Sequence, residues 1–529
     1  MSAAIGAEIE IVSGRDKGAL VTANAQRATP REWIGLAVIA LPCLVYAMDL
    51  TVLNLALPAI SAQLKPSSAQ LLWIVDIYGF LVAGFLITMG TLGDRIGRRR
   101  LLLIGAATFA LASAIAAFSH SVEMLIAMRA LLGVAGATLA PSTMSLIRNM
   151  FHDEHERQFA IGVWIASFSV GAAIGPLVGG VLLQLFWWGS VFLVAVPVMV
   201  LLLLLGPKLL PEYRDPKAGR VDPVSVAQSL VAVLGSIYAL KRFAEHGFAW
   251  DTTALLLGSV IVGVLFARRQ SRLAYPLLDM RLFRQPRFSA AIAAYALSCM
   301  AMFGVYIFIT QYLQLVLDLS PLAAGFATAP WALAFVVGSL LAPRLARRWA
   351  PVSVLVWGLV VAAAGFAALA LVDGQLALAI LVASTIVMSF GLAPVFTIGN
   401  EMIITAAPPE RAGAASAISE TSSELSGALG IAVLGSVGMV LYRNALAPSL
   451  PEALPAGSAA EALATLGGAV ASAAALAGPA GEMLLAAARG AFVDALQFTA
   501  FTGAAIVALA SVVAARILRG TVEPAAAKA

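Results

Sequence analysis

From Ile34 to Pro58 the chain runs through 25 residues in which Asp49 is the lone charged side chain. Held as a helix rising ~1.5 Å per residue, such a run outreaches the ~30 Å hydrocarbon core of a bilayer, and a helix satisfies its own backbone polar groups where water is absent. Comparable runs recur near 71–92, 101–118, 122–147, 159–185, 188–206, 223–240, 251–267, 288–316, 321–342, 352–371, 375–398, 412–440 and 491–516. The expectation is an all-α membrane protein with 14 transmembrane helices. Composition agrees, because charged residues make up 12% of 529, about half the ~25% of a soluble domain.

Basic residues set the orientation. Alternate connections collect Arg95, Arg98, Arg99 and Arg100, then Lys208, Arg214, Lys217 and Arg220, then Arg268, Arg269, Arg272, Arg281, Arg284 and Arg287, then Arg344, Arg347 and Arg348. The opposite connections hold Lys65, Lys241, Arg242, Arg443 and Arg489. Because bases are retained on the cytoplasmic side, both termini are expected there, in a multi-pass cell-membrane protein. The net charge of +5 is accounted for by these loops, so no nucleic-acid partner is expected. The first thirty-odd residues carry Glu8, Glu10 and Asp16 without a sustained apolar stretch, which reads as a cytoplasmic tail and not a cleavable signal.

Enzyme chemistry finds little support. Cys43 and Cys299 sit in apolar runs without metal-type spacing, and His120, His152, His155 and His246 all fall in loops. Neither a zinc-type His–Glu pattern nor a glycine–lysine phosphate loop is present, so no metal, cofactor or direct ATP drive is expected.

Two internal echoes suggest a duplicated architecture. Leu92–Arg99 overlays Leu341–Arg348, and Glu156-Arg157 ahead of the fifth run overlays Glu410-Arg411 ahead of the thirteenth. Two six-helix halves around an inserted pair would give this register. The expected divisions are a tail at 1–33, a first half at 34–206, an inserted helix pair with its loops at 207–287, a second half at 288–516 and a tail at 517–529. Within the second half, the outer segment 443–490 is rich in Ala, Pro and Gly. Ser458–Leu466 and Gly481–Arg489 there read as short amphipathic helices forming a hairpin or cap, with a disordered linker as the other reading.

The loop after the second run holds Gly90, Gly93, Asp94, Arg95, Gly97, Arg98 and Arg99. Orientation requires only the arginines. The glycines permit a tight turn and close helix approach, and Asp94 can pair with an arginine or a helix amino terminus, as a contact that holds one of two conformations would. This spacing resembles the signature of the major facilitator superfamily. The resemblance extends through Arg129–Ala137 and through Gly171, Gly175, Pro176, Gly179 and Gly180, which look like the superfamily's antiporter motif. With Asp49–Val52, Asn54–Pro58, Trp73–Gly79 and Pro409–Gly413 added, the whole chain resembles the fourteen-span drug:proton antiporters of the QacA and SmvA type. Leu132 and Pro343 depart from the usual pattern, standing where the family has a glutamine and an acid.

An acid within a span costs several kcal/mol unless it faces a cavity or the bundle interior. Counting residues from the outer face puts Asp49, Asp76 and Arg129 within ~6 Å of depth of one another. Glu420 and Glu424 are i and i+4 on one helix face, with Glu424 at similar depth. Such acids can exchange protons, and a lipophilic cation would compete for the same carboxylates, helped by aromatic faces. Trp73, Tyr78, Trp164, Phe168, Tyr306, Tyr312, Phe390 and Phe396 are the candidate walls. The resemblance implies export of quaternary ammonium or dye-like cations in exchange for protons, by a monomer in a bacterial membrane. The rival readings are a proton-coupled uptake symporter on the same fold and a non-transporting sensor.

Overall fold

The computed structural model describes residues 27–66, 68–214, 221–246, 249–319, 321–408, 412–451, 454–476 and 479–519. Lys217, Arg220, Glu410 and Arg411 lie outside the described residues, so the second echo has no structural counterpart to compare.

The first half comprises α1 (Pro30–Leu64), α2 (Ser68–Ile96), α3 (Arg98–Ala117), α4 (Val122–Gly136), α5 (Leu139–Met150), α6 (Glu154–Leu185), α7 (Ser190–Leu193) and α8 (Ala195–Leu209). The fourth run is therefore split by a turn at Ala137-Thr138, where the Thr138 hydroxyl donates back to the Ala135 carbonyl at 2.7 Å. Local signals begin the helices as physics expects. Asp153 caps α6 by accepting from the amides of His155 and Glu156, each at 2.9 Å, and the Ser121 hydroxyl accepts from Met124 at the start of α4. Gly97 adopts φ of 111°, a left-handed conformation that lets α2 stop and α3 start one residue later.

The inserted pair is α9 (Pro223–His246) and α10 (Trp250–Gln270). The second half follows with α11 (Pro286–Gln311), α12 (Pro321–Arg348), α13 (Pro351–Leu369), α14 (Ala377–Ala406), α15 (Ala412–Gly430) and α16 (Ser436–Leu446). It ends with α17 (Ala456–Ala464), α18 (Leu466–Ala475) and α19 (Pro479–Arg519). Single π turns at Tyr312–Val316 and Ile431–Gly435 extend α11 and join α15 to α16.

Helix pairing gives the two halves. In the first, α1 packs on α6, α2 on α4 and α3 on α8; in the second, α14 packs on α12 and α13, while α19 packs on α11 and α13. The inserted pair forms its own hairpin against α2, where Leu230 and Leu234 fill the space that Gly84 leaves. Among the described residues, 13 helices are long and apolar enough to cross a membrane, and they match 13 of the expected runs. The other run lies in α6, a continuous 32-residue helix.

The outer segment differs from expectation in detail. Residues 481–489 are helical but belong to the first turns of the 41-residue α19, and an unforeseen helix, α18, follows α17. The α17–α18 hairpin is pinned by Tyr442, whose hydroxyl donates to the Ala462 carbonyl at 2.9 Å, and by Ser472 donating to Ser458. Apolar faces of Ala and Leu explain why both are helical despite weak sequence amphipathicity.

Candidate functional site

Asp49 is reached by an arginine. Arg129 of α4 is almost wholly buried; its Nη1 lies 2.5 Å from Asp49 Oδ2, and its Nε donates to the Ile74 carbonyl of α2 at 3.1 Å. The guanidinium carbon sits 4.6 Å from the Tyr78 ring centroid, so the same cation also faces an aromatic surface. Three helices of the first half thus meet at one charge. Asp49 keeps 12% side-chain exposure, whereas Arg129 keeps 1%. Asp76, two residues along from Ile74, is partly buried.

Small residues bring α6 against this pair. A Cβ on Gly171 would stand 2.1 Å from the Leu44 carbonyl oxygen, and one on Gly175 would stand 2.0 Å from Thr51 Oγ1, with Met48 also in contact. Gly175 therefore touches residues on both sides of Asp49. Gly179 is buried, and Gly180 has open space around its missing side chain, so close packing ends before it. Pro176 lies outside the residues whose side chains are described; the helix continues through it.

The second half faces the pair with Glu420, partly buried, and Glu424, exposed, on α15. Tyr46, one turn before Asp49, lies within electrostatic reach of Glu424, Glu420 and Asp49, and Tyr78 within reach of Asp49, Arg129 and Glu424. Acids from both halves therefore lie within electrostatic reach of the same two tyrosines. Tyr46 is also ringed by Tyr78 at 5.8 Å and Phe168 at 5.7 Å, with Trp164 4.7 Å beyond Phe168. Trp164 is buried and donates to Thr143 Oγ1 at 2.8 Å, which fixes its ring. In the second half, Tyr295, within reach of Glu420, meets Phe396 at 4.8 Å, and Phe335 meets Phe396 at 5.6 Å.

The other expected wall aromatics are elsewhere or peripheral. Trp73 is exposed and pairs with Phe80, which in turn meets Tyr238 of the inserted pair. Tyr312 is buried in the π turn that packs on α19. Tyr306 is exposed and stacks edge-on with Trp331 at 5.0 Å; Phe390 is partly buried where Gly338 of α12 meets the α14 backbone. Sequence reasoning missed Tyr46 and Tyr295, although Tyr46 shares a helix face with Asp49 at i−3.

At the base-rich end the two halves touch. Gly90 of α2 lies against Ala417 and Gly413 of α15, and Gly162 of α6 against the Ser339 carbonyl of α12. Arg98 is fully buried, paired with Asp94 four residues back, and its guanidinium lies against Gly413, so the loop motif contacts the second half directly. Arg157 Nη2 meets Glu401 Oε1 of α14 at 3.2 Å, Arg148 donates to the Ile404 carbonyl, and Arg344 lies over Phe159 at 5.8 Å. Glu401 escaped the sequence reading because the twelfth run was ended at 398, whereas α14 continues to Ala406.

The rest of the loop motif anchors the first half. Glu212 accepts from the amides of Arg99 and Arg100 at 3.1 Å each, capping α3, and packs against Gly97 where a Cβ would collide. Arg99 donates to the carbonyls of Pro207 and Leu210, and Arg95 reaches the Tyr275 carbonyl. Gly93 leaves the space that the Arg98 side chain occupies.

The family model described as Major Facilitator Superfamily matches residues 39–431. The multidrug efflux pump LfrA of Mycolicibacterium smegmatis is 44% identical over 492 residues, covering 93% of this chain and 97% of the relative. The methyl viologen resistance protein SmvA of Salmonella typhimurium is 37% identical, covering 88% of this chain and 93% of the relative. Among solved structures, the human organic anion transporter MFSD10 (TETRAN) aligns with a TM-score of 0.59 at 15% identity, over 92% of this chain and all of that one, a likeness of fold alone.

Proposed function

The chain belongs to the major facilitator superfamily, and on that premise we propose that it is a proton-coupled antiporter that exports lipophilic, quaternary ammonium or dye-like cations. Drug efflux is the activity carried by the names of its relatives, one of them named for resistance to methyl viologen, a quaternary cation. The observation that carries the finer reading is that Asp49, paired with Arg129, shares Tyr46 with Glu420 and Glu424, and Tyr78 with Glu424.

Each carboxylate there can hold a proton or face a cation, not both. Protonation removes the charge that a lipophilic cation requires, while Tyr46, Tyr78, Phe168, Tyr295 and Phe396 offer ring faces to a cation of varied shape. Arg129 competes with the substrate for Asp49, so substrate entry and the Asp49–Arg129 pair are mutually exclusive in part. Glu420 and Glu424 supply the charge that Arg129 does not neutralise.

The halves meet at the base-rich end, which the arginine distribution assigns to the cytoplasm. Glu424 and Tyr306 are exposed on the other side of that closure, so this conformation is read as open outward, ready to release cargo and accept protons. The Gly90, Asp94 and Arg98 contact with α15 then serves as the lock of this state, and the Gly171–Gly175 packing holds α6 rigidly on α1 beside the acid. Replacing Asp49 by Asn tests the reading: proton-driven dye efflux should fall by at least tenfold, and unchanged efflux would refute it.

A further inference from the structure

A cation that competes for Asp49 must displace Arg129, whose side chain is 1% exposed. A guanidinium so buried needs somewhere to go, because a charge left without a partner in the interior is strongly unfavourable. Helix α2 supplies the place. The Ile74 carbonyl accepts from Arg129 Nε at 3.1 Å, and one turn along the same face the centroid of the Tyr78 ring lies 4.6 Å from the guanidinium carbon. Both contacts are independent of the carboxylate.

Small residues and packing build this arrangement. Gly133 and Gly136 follow Arg129 on α4 at i+4 and i+7, along one face. A Cβ on Gly133 would stand 2.6 Å from the Tyr78 carbonyl oxygen, and one on Gly136 would stand 3.3 Å from the Tyr78 hydroxyl and from the Tyr46 ring. The two glycines therefore let α2 approach closely enough for the ring to lie against the arginine. Tyr78 is fully buried and meets Tyr46 at 5.8 Å, which fixes the ring in place. Its hydroxyl has no hydrogen-bond partner among the described residues, so what Tyr78 offers Arg129 is the ring face. Asp49, Arg129 and Glu424 are the charged groups within electrostatic reach of Tyr78.

We propose that Tyr78 is a positioning residue: its ring and the Ile74 carbonyl form a standing seat onto which the Arg129 guanidinium settles when a cation or a proton takes Asp49. The inference rests on the reading above that cargo and protons compete for that carboxylate. The seat attracts Arg129 through the negative face of the ring and through a charge-assisted bond to the carbonyl, and neither group changes charge during transport. Arg129 thus stays within the first half, and Asp49 becomes available without leaving a bare cation in the interior. Without the ring, the guanidinium would hold Asp49 more tightly and exclude the cargo.

Equilibrium binding of a quaternary ammonium dye to the purified protein in detergent, at neutral pH, reads the seat through a double-mutant cycle. Tyr78→Leu should weaken binding by roughly tenfold, the factor expected when a desolvated ring is lost from the competitor's alternative position. Tyr78→Phe keeps the ring and should restore most of that loss. Arg129→Gln removes the competitor and should bind the dye at least as tightly as the wild type; adding Tyr78→Leu to it should change binding by less than about twofold, because the ring then has no arginine to hold. Trifluorophenylalanine at position 78 keeps the shape of phenylalanine while draining negative charge from the ring face. It should bind the dye severalfold more weakly than Tyr78→Phe, which reads the seat even where Tyr78→Leu fails to fold.

A Tyr78→Leu loss that persists undiminished in the Arg129→Gln protein would show that the ring meets the dye itself, and would overturn the seat. Tyr78→Phe as weak as Tyr78→Leu would overturn it too, as would trifluorophenylalanine that binds as well as phenylalanine. Wild-type protein that binds no quaternary dye refutes the parent reading and the seat with it. Wild-type binding that is lost in Asp49→Asn, together with any of the three contrary results, refutes the seat alone.

Discussion

At the scale of single residues, Asp49 and Arg129 form a charge pair that is stable but convertible. Breaking one partner of a fully buried pair costs ~3–5 kcal/mol, because the other charge is left uncompensated. Here Asp49 is 12% exposed and solvent offsets part of that cost. Arg129→Gln should therefore lower thermal stability in detergent by about 1–3 kcal/mol, and adding Asp49→Asn should restore part of the loss. Neither protein should transport. Equal destabilisation of the single and double variants would mean that the pair has no coupling. Asp49 was legible in the sequence because an acid in an apolar run has few structural uses; its partner was legible only as a matter of depth, since hydropathy carries no azimuth. Tyr46 was not singled out because an aromatic in a span ordinarily packs or meets lipid, and only its electrostatic reach to Glu420 and Glu424 sets it apart.

At the scale of helices, glycines decide which spans can touch. Gly171→Ala would drive a methyl into the Leu44 carbonyl, whereas Gly180→Ala meets nothing within 4 Å. The first should reduce folded yield or efflux severalfold and the second should be silent, as read by size-exclusion profiles and dye efflux side by side. A silent Gly171→Ala would show that α1 and α6 do not need this approach. Packing demands the small residues of the antiporter-like motif at Gly171 and Gly175 and not at Gly180.

At their membrane-external ends the two helices of the inserted pair are clipped together by Asp222, which accepts from Arg269 Nε at 2.7 Å and from Ser225. These bonds, Arg269's first, hold the Asp222 carboxyl below the usual carboxylate range. A depressed pKa contributes stability above the ordinary value of ~3.9 and loses it as pH falls through the lower folded value. Tryptic cleavage near this clip should therefore be unchanged between pH 8 and 5 in the wild type and faster in Arg269→Ala. An increase on moving to pH 5 would contradict the assignment. The outer segment shows the opposite limit of sequence reading: α18 has no charged residue to mark a wet face, so its helix emerges from packing on α17 and α19.

At the scale of the whole molecule, the two halves touch at the base-rich end, through Gly90 with Ala417 and Arg157 with Glu401, and again where Phe80 and Ala83 of α2 pack with Leu425 and Ala428 of α15. The spans were legible from hydropathy, because bilayer thickness acts on every span alike. The closure was not legible, since it depends on pairs such as Arg157 with Glu401 that lie 244 positions apart. If one proton exchanges for one monovalent cation, no net charge moves. Each additional proton would add ~2.3 kcal/mol per 100 mV, about a 50-fold gradient, so imposing a potential on liposomes reads the stoichiometry.

The central claim is that protons and a lipophilic cation compete for the carboxylates of Asp49, Glu420 and Glu424. Its most direct test is uptake of a permanently charged quaternary ammonium dye into proteoliposomes that are acidic inside. The account predicts accumulation that collapses when the pH gradient is dissipated and that is lost in Asp49→Asn. Dye movement indifferent to the gradient, or transport confined to neutral compounds, would contradict it.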